Sequence, residues 1–286
     1  MIASTAVIHP TALVHPEAHI GQHVAIGPFS IIEDDCKIGD HTTIDSHVLI
    51  KSGTQMASHN RVYKGAVLGE HPQHLQAPEV TGRTIIGGHN TMRENVTVHR
   101  GLKAGMNTVI GDDNLLMVGA HVAHDCVIGN HVILTNNVLL AGHVTVEDRV
   151  FLSGAAGVHQ NCRVGTMSMV GAHARCVQDV PPYVTVDGGT TRVVGLNLVG
   201  LRRNGISRAE IRQIKEAYRL IYRSGLPYSE VLEQLKLEFD SGPAARFHPF
   251  FTTSTRGFIS ERRSPPGGVL KLHSDPAKES EIRKVA

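Results

Sequence analysis

The chain has no tryptophan, and aromatic residues make up only 4% of its 286 positions. Its core cannot rest on a few large rings and must be assembled from many small aliphatic contacts. Cysteine is scarce too. Cys36, Cys126, Cys162 and Cys176 form no CxxC pair, which argues against a disulfide framework or a thiolate zinc site. Neither sign of charge dominates: the net charge is +2, so no strong field selects nucleic acid or a membrane surface. No apolar run approaches the roughly 18 residues of a membrane span. The opening MIASTAVIHPTALVHP lacks the basic start and continuous apolar stretch of a secretory signal. The expectation is a cytoplasmic protein with reduced thiols in its core.

What is present is periodic. From Ile8, every sixth residue is aliphatic: Val14, Ile20, Ile26, Ile32, Ile38, Ile44, Ile50, Met56, Val62 and Leu68. The phase breaks at HPQHLQAPEVTGR, resumes at Ile86, Met92 and Val98, lapses around GLKAGMN, and then runs from Ile110 to Cys176. Four residues after nearly all of these positions stands a small or β-branched residue, such as Ala12, Val24, Cys36 or Val48. One residue after, glycine is frequent, as at Gly21, Gly27 and Gly39. A helix would repeat near 3.6 and a plain strand at 2. A period of six predicts short strand–turn units coiling into a parallel β-helix, with three hexads to a triangular coil. The glycines are expected to supply backbone freedom at the corners.

Seventeen of the 19 histidines precede residue 180, and within the repeats none falls on an inward position. His23, His41, His47 and His59 share one place in the hexad and read as polar turn residues. A denser group stands out against them. Residues 18 apart stack in successive coils, so His124, Gly142 and Gln160 form one column, and Asp125 and His143 belong to the next. With His121 and His159 they gather on one corner within about two strand spacings, ~10 Å. A single prism offers flat faces and little concavity, which predicts a homotrimer whose neighbouring subunit completes the cleft. The corner suits two chemistries. Zinc needs three or four convergent ligands, as in γ-class carbonic anhydrases. A general base needs one histidine near a hydroxyl and a donor for the developing oxyanion, a part the bare Gly142 N–H can take. Spacing leaves both open.

Longer motifs narrow the choice. DNLLM at 113–117, AHVAHDCVIGN at 120–130, LAGHVTV at 140–146, VHQ at 158–160, QDVPPYV at 178–184 and GLRRNGISRAEI at 200–211 resemble the UDP-N-acetylglucosamine O-acyltransferases that begin lipid A synthesis. RENVTVHRG at 93–101, AYRLIYRSG at 217–225, and STRGFI at 254–259 match as well. The resemblance covers residues from about 5 to 259. It implies a left-handed helix of coils, whereas the general rule for parallel crossovers would give a right-handed one. It also implies transfer of a 3-hydroxyacyl group from acyl carrier protein to the 3-position of UDP-N-acetylglucosamine, with no metal or organic cofactor. His124 would be the base, Asp125 the support for its charge, and Gly142 the oxyanion donor. His121, His143, His159 and Gln160 would contact the sugar nucleotide, Asn197 and Arg203 would grip the nucleotide, and Ala172 matches a position that gauges acyl length. An acid and a lysine are usual in the family where His74 and Gln76 stand, as are Glu and Arg where Val199 and Asn204 stand. A 3-amino sugar is therefore a second acceptor to consider, and a zinc hydratase is the reading from another class.

The expected organisation is a left-handed β-helix over residues 1–195 with loop insertions near 69–85 and 101–109, a helical domain over 196–259, and a disordered tail over 260–286. In the helical part, Ser207 and Glu210 predict a capping box, Gly225 a stop, and Ser229 the start of a second helix. Arg202, Arg203, Arg208, Arg212, Lys215, Arg219 and Arg223 form a basic set suited to an acidic carrier protein.

Overall fold

The computed structural model describes residues 1–262. Most strands are two residues long, and each pairs with a strand one coil away. Val7 faces Ala25, Leu13 faces Ile31 and His19 faces Lys37, always 18 residues on. Among the described residues this builds three sheets of 11, 9 and 8 strands, all parallel except for one added antiparallel pair at the end of the largest. Together the sheets form a triangular prism. Its interior is the aliphatic ladder anticipated above, from Ile20 to Cys176, with the four-residues-on positions completing the packing. All four cysteines are buried and free. Burial pushes the thiols of Cys36, Cys126 and Cys176 up to about 12, so they remain protonated.

The corners correct one expectation. Left-handed backbone occurs three residues after the aliphatic position, not one, and His23, His41, His59 and His89 hold φ between 55° and 63° there. Asn, Asp and His tolerate this region better than other side chains, which accounts for the recurring histidines. The four rings stack at 4.8 to 5.0 Å between centroids. The glycines one residue after the aliphatic position serve the approach of successive coils instead. A Cβ on Gly39 would lie 2.5 Å from the Ala57 carbonyl carbon of the next coil.

The two phase breaks are loops 71–82 and 100–106. They are tighter than expected, because Arg83–Ile86 and Asn107–Ile110 are already strands. Beyond the last coil the chain turns back as Val193–Leu196, then forms α1 (Leu198–Arg203), α2 (Arg208–Arg223), α3 (Tyr228–Glu238), a 3-10 turn at Pro243–Arg246 and α4 (Phe247–Thr252). The Ser207–Glu210 capping box is present. Helix α3 starts earlier than Ser229: Pro227, in extended backbone, occupies the cap position and no side chain caps it. Tyr183 from the prism packs into the helical cluster and donates to Pro243 O at 2.8 Å. The expected tail is contradicted at its start. Glu261 bridges to Val193 and receives hydrogen bonds from Tyr218 (2.7 Å) and Arg223 (2.6 Å). The remainder, 263–286, lies outside the described residues.

These two corner rules predict opposite outcomes two residues apart. Gly39→Ala should cost about 1–3 kcal/mol, because backbone must shift to admit the methyl. His41→Asn should stay within about 0.5 kcal/mol. Thermal unfolding of both variants checks this, and a neutral Gly39→Ala would refute the close-approach account.

Candidate active site

The stacking that positions the site is visible in its hydrogen bonds. His143 N donates to His124 O at 3.0 Å, and Asn161 N donates to Gly142 O at 3.1 Å. His124 and Asp125 point away from the aliphatic core, yet they are only 9% and 8% exposed. The loops account for this. Leu102, in the second loop, donates its N–H to both Asp125 oxygens at 3.1 and 3.3 Å. His74, in the first, sets its ring edge against His124 at 5.7 Å. His143 packs similarly from the next coil at 5.2 Å. Asp125 Oδ2 lies 2.7 Å from His124 Nδ1. A carboxylate only accepts, so Nδ1 carries the proton in this pair and Nε2 keeps its lone pair.

Gly142 is closely fitted to that ring. A Cβ there would lie 2.6 Å from His124 Cε1 and 2.8 Å from Nε2. At the equivalent place in other coils, the N–H groups of Gln22, Asp112 and Asn130 are satisfied by Asp40, Asn130 and Asp148 side chains. Among the described residues the Gly142 N–H has no such partner. A proton acceptor and an uncommitted N–H donor therefore lie side by side at the base of one cleft. That cleft is also lined by His74, Thr97, His121, His159, Gln160 and Arg175.

The chain thus brings together His74, His121, His124, Asp125, Gly142, His143, His159 and Gln160. Gln76 is exposed outside the lining and reaches the site only through its N–H, which donates to His74 Nδ1 at 3.1 Å. Ala172 lies on another corner, its carbonyl against Gly188. Asn197 and Arg203 line a separate hollow on the 11-stranded sheet, with His131, Arg149, Val199 and Asn204. The Asn197 side chain is largely engaged there: Oδ1 caps α1 at Gly200 N (3.0 Å) and Nδ2 donates to Met167 O (2.9 Å).

His99 and Thr97 were not anticipated. Their coil carries the second loop, so Thr97 pairs with His121 at a step of 24 residues, and an 18-residue count misses them. Thr97 Oγ1 lies 2.7 Å from His121 Nδ1. His99 sits edge-on to His121 at 4.9 Å, with its Nδ1 buried and unpartnered. Burial first, and the neighbouring His121 second, bring His99 down to about 4. Burial also lowers His121.

Comparison with known proteins decides the family. Residues 179–259 match the second domain of UDP-N-acetylglucosamine O-acyltransferase, and 107–142 match the bacterial transferase hexapeptide family. The acyl-[acyl-carrier-protein]–UDP-N-acetylglucosamine O-acyltransferase of Halorhodospira halophila is 48% identical over 88% of this chain and 98% of its own. The Aliivibrio salmonicida enzyme of the same name is 44% identical over 91% and 100%. This chain belongs to the acyl-[acyl-carrier-protein]–UDP-N-acetylglucosamine O-acyltransferase family. A solved UDP-N-acetylglucosamine acyltransferase from Bacteroides fragilis superposes with a TM-score of 0.84 at 39% identity, covering 88% of this chain and 99% of that one. The enzyme from Francisella novicida gives 0.81 at 34%, covering 92% and 95%. The fold is the left-handed parallel β-helix of these acyltransferases with a short helical end. No helix among the described residues is long and apolar enough to cross a membrane.

The buried histidine has a pH consequence. The folded chain keeps His99 neutral down to about 4, while the unfolded chain protonates it near the ordinary 6.5. Between those values the unfolded state binds more protons, so stability falls as pH drops from about 6.5 to about 4 and levels off below. His99→Asn should flatten the melting-temperature profile in that window, by at most about 3 kcal/mol. An unchanged profile would exonerate His99.

Proposed function

We propose that this acyltransferase moves a 3-hydroxyacyl group from acyl carrier protein to the 3-hydroxyl of UDP-N-acetylglucosamine, the first step of lipid A biosynthesis, with His124 as general base. The observation that carries the mechanism is the Asp125–His124–Gly142 arrangement. Nε2 of His124 takes the hydroxyl proton as the sugar oxygen attacks the thioester carbonyl. Gly142 N–H receives the negative charge that moves onto the carbonyl oxygen. Collapse breaks the carbon–sulfur bond, and the imidazolium returns its proton to the departing thiolate. Asp125 holds the ring and stabilises its transient charge.

The acceptor must also meet Asn197 and Arg203 if these grip the nucleotide, and they lie on a different sheet from His124. A homotrimer resolves this by presenting the hollow of one copy to the cleft of the next. For the donor, Arg202, Arg208, Arg212 and Lys215 line one hollow with Ile206 and Ile211, a surface suited to acidic carrier protein. Arg223 drops out of that set because it pairs with Glu261. A zinc hydratase is the second reading, favoured by ligand atoms of His124, Asp125 and His143 within 4.8 Å of one another. The Leu102 N–H and the His124 ring already engage Asp125, which suits an orienting carboxylate better than a metal ligand. Stoichiometric zinc in purified protein would favour the hydratase.

His124→Ala should lower acyl transfer at least about 100-fold with melting temperature near wild type. Retention of more than a few per cent removes it from the base role. Gly142→Ala should cost at least about tenfold, because the methyl displaces the ring. Parallel assays with UDP-N-acetylglucosamine and its 3-amino analogue decide the acceptor. Reversing charge at Arg212 and Lys215 should raise the donor KM alone; unaltered donor kinetics would move the docking surface elsewhere.

A further inference from the structure

Along the cleft, the outward residues of four successive coils are His121, Leu139, Gly157 and Arg175, in register. At Gly157 nothing lies within 4 Å of where a side chain would begin. The groove therefore stays open between the catalytic end and Arg175, which lines it. Arg175 is anchored by its backbone, whose N–H donates to Thr191 Oγ1 at 3.2 Å. Among the described residues its guanidinium has no carboxylate partner. A second arginine arrives from the segment after α4. Arg256 Nη2 donates to Val177 O at 3.2 Å and lies 3.2 Å from His159 Nδ1. It too is unpaired with any carboxylate among the described residues, and Val177 is two residues from Arg175.

Arg256 thus lies against His159, and Arg175, from a separate part of the fold, lines the same cleft as His159. Planar guanidinium forks suit phosphate oxygens. We infer that Arg175 and Arg256, beside His159, form a phosphate-ester subsite. The inference rests on the acyltransferase reading of the cleft. Each substrate carries such a group: the diphosphate of the acceptor, and the phosphodiester that joins the pantetheine arm to the carrier protein. Arg175 stands three coil steps beyond His121, about 14 Å at one strand spacing each. The sugar's first phosphate is only a few bonds from the reacting hydroxyl, whereas the extended pantetheine arm reaches that far. The donor phosphodiester is therefore the better match.

Steady-state kinetics of Arg175→Gln, Arg256→Gln and the double variant, with each substrate varied in turn, test this. The donor KM should rise about tenfold for each change, with Arg175→Lys retaining part of the affinity. Acyl-pantetheine lacking the phosphate should be used equally well by wild type and variant. A rise confined to the UDP-N-acetylglucosamine KM keeps the subsite and assigns it to the acceptor diphosphate. Unchanged KM for both substrates overturns it. Failure of the base assignment would appear separately, as activity surviving in His124→Ala.

Discussion

Successive coils hydrogen-bond at a single strand spacing, and that constraint dictates nearly every other feature. It leaves no room for a Cβ where one coil crosses another, hence Gly39 against Ala57. It goes with left-handed backbone at most corners, hence the columns of His, Asn and Asp. The corner that carries His124 obeys the same rule. Gly142 lies on the His124 ring because it comes 18 residues later, and the contact is so close that only hydrogen fits between them. A spacing imposed by backbone hydrogen bonds thus sets the separation of the His124 ring and the Gly142 N–H, the base and oxyanion donor proposed above, with a precision that mobile loops seldom achieve.

A regular prism has no cleft, so function depends on where the regularity fails. Loops 71–82 and 100–106 interrupt the repeat and fold over the corner that holds His124. Elsewhere a corner Asp or His is a solvated turn residue. Here the Leu102 N–H fixes Asp125, and Asp125 fixes His124. The dyad is buried by the loops and not by the aliphatic core, so His124 can be altered without opening a cavity in the prism.

The coil architecture, the inward and outward assignment of residues and the His124–Gly142 column were legible in the sequence, because period and register are properties of backbone geometry. The exceptions are places where another geometry intervened. Thr97 and His99 escaped because their coil is 24 residues long. The role of the corner glycines was misassigned because close approach and positive φ demand the same residue. Glu261 was placed in a tail because its composition is polar, while its partners Tyr218 and Arg223 lie about forty residues earlier. Asn197 was read as a nucleotide contact, and the structure also gives it the cap of α1, a helix with too few residues to signal itself in sequence.

The distribution of charge along the cleft suits the base role proposed for His124, in which the ring becomes positive during the reaction. His99 and His121 stand edge-on to each other beside the cleft, and burial keeps both neutral near pH 7. In the proposed mechanism an imidazolium forming at His124 faces Asp125, with His99 and His121 adding no positive charge. The permanent positive charges stand at the other end. Arg175 stands three coil steps from His121, about 14 Å along the groove at one strand spacing each. Anion binding and proton transfer are separated along one groove, and the coil spacing that stacks Gly142 on His124 also sets the length of that separation.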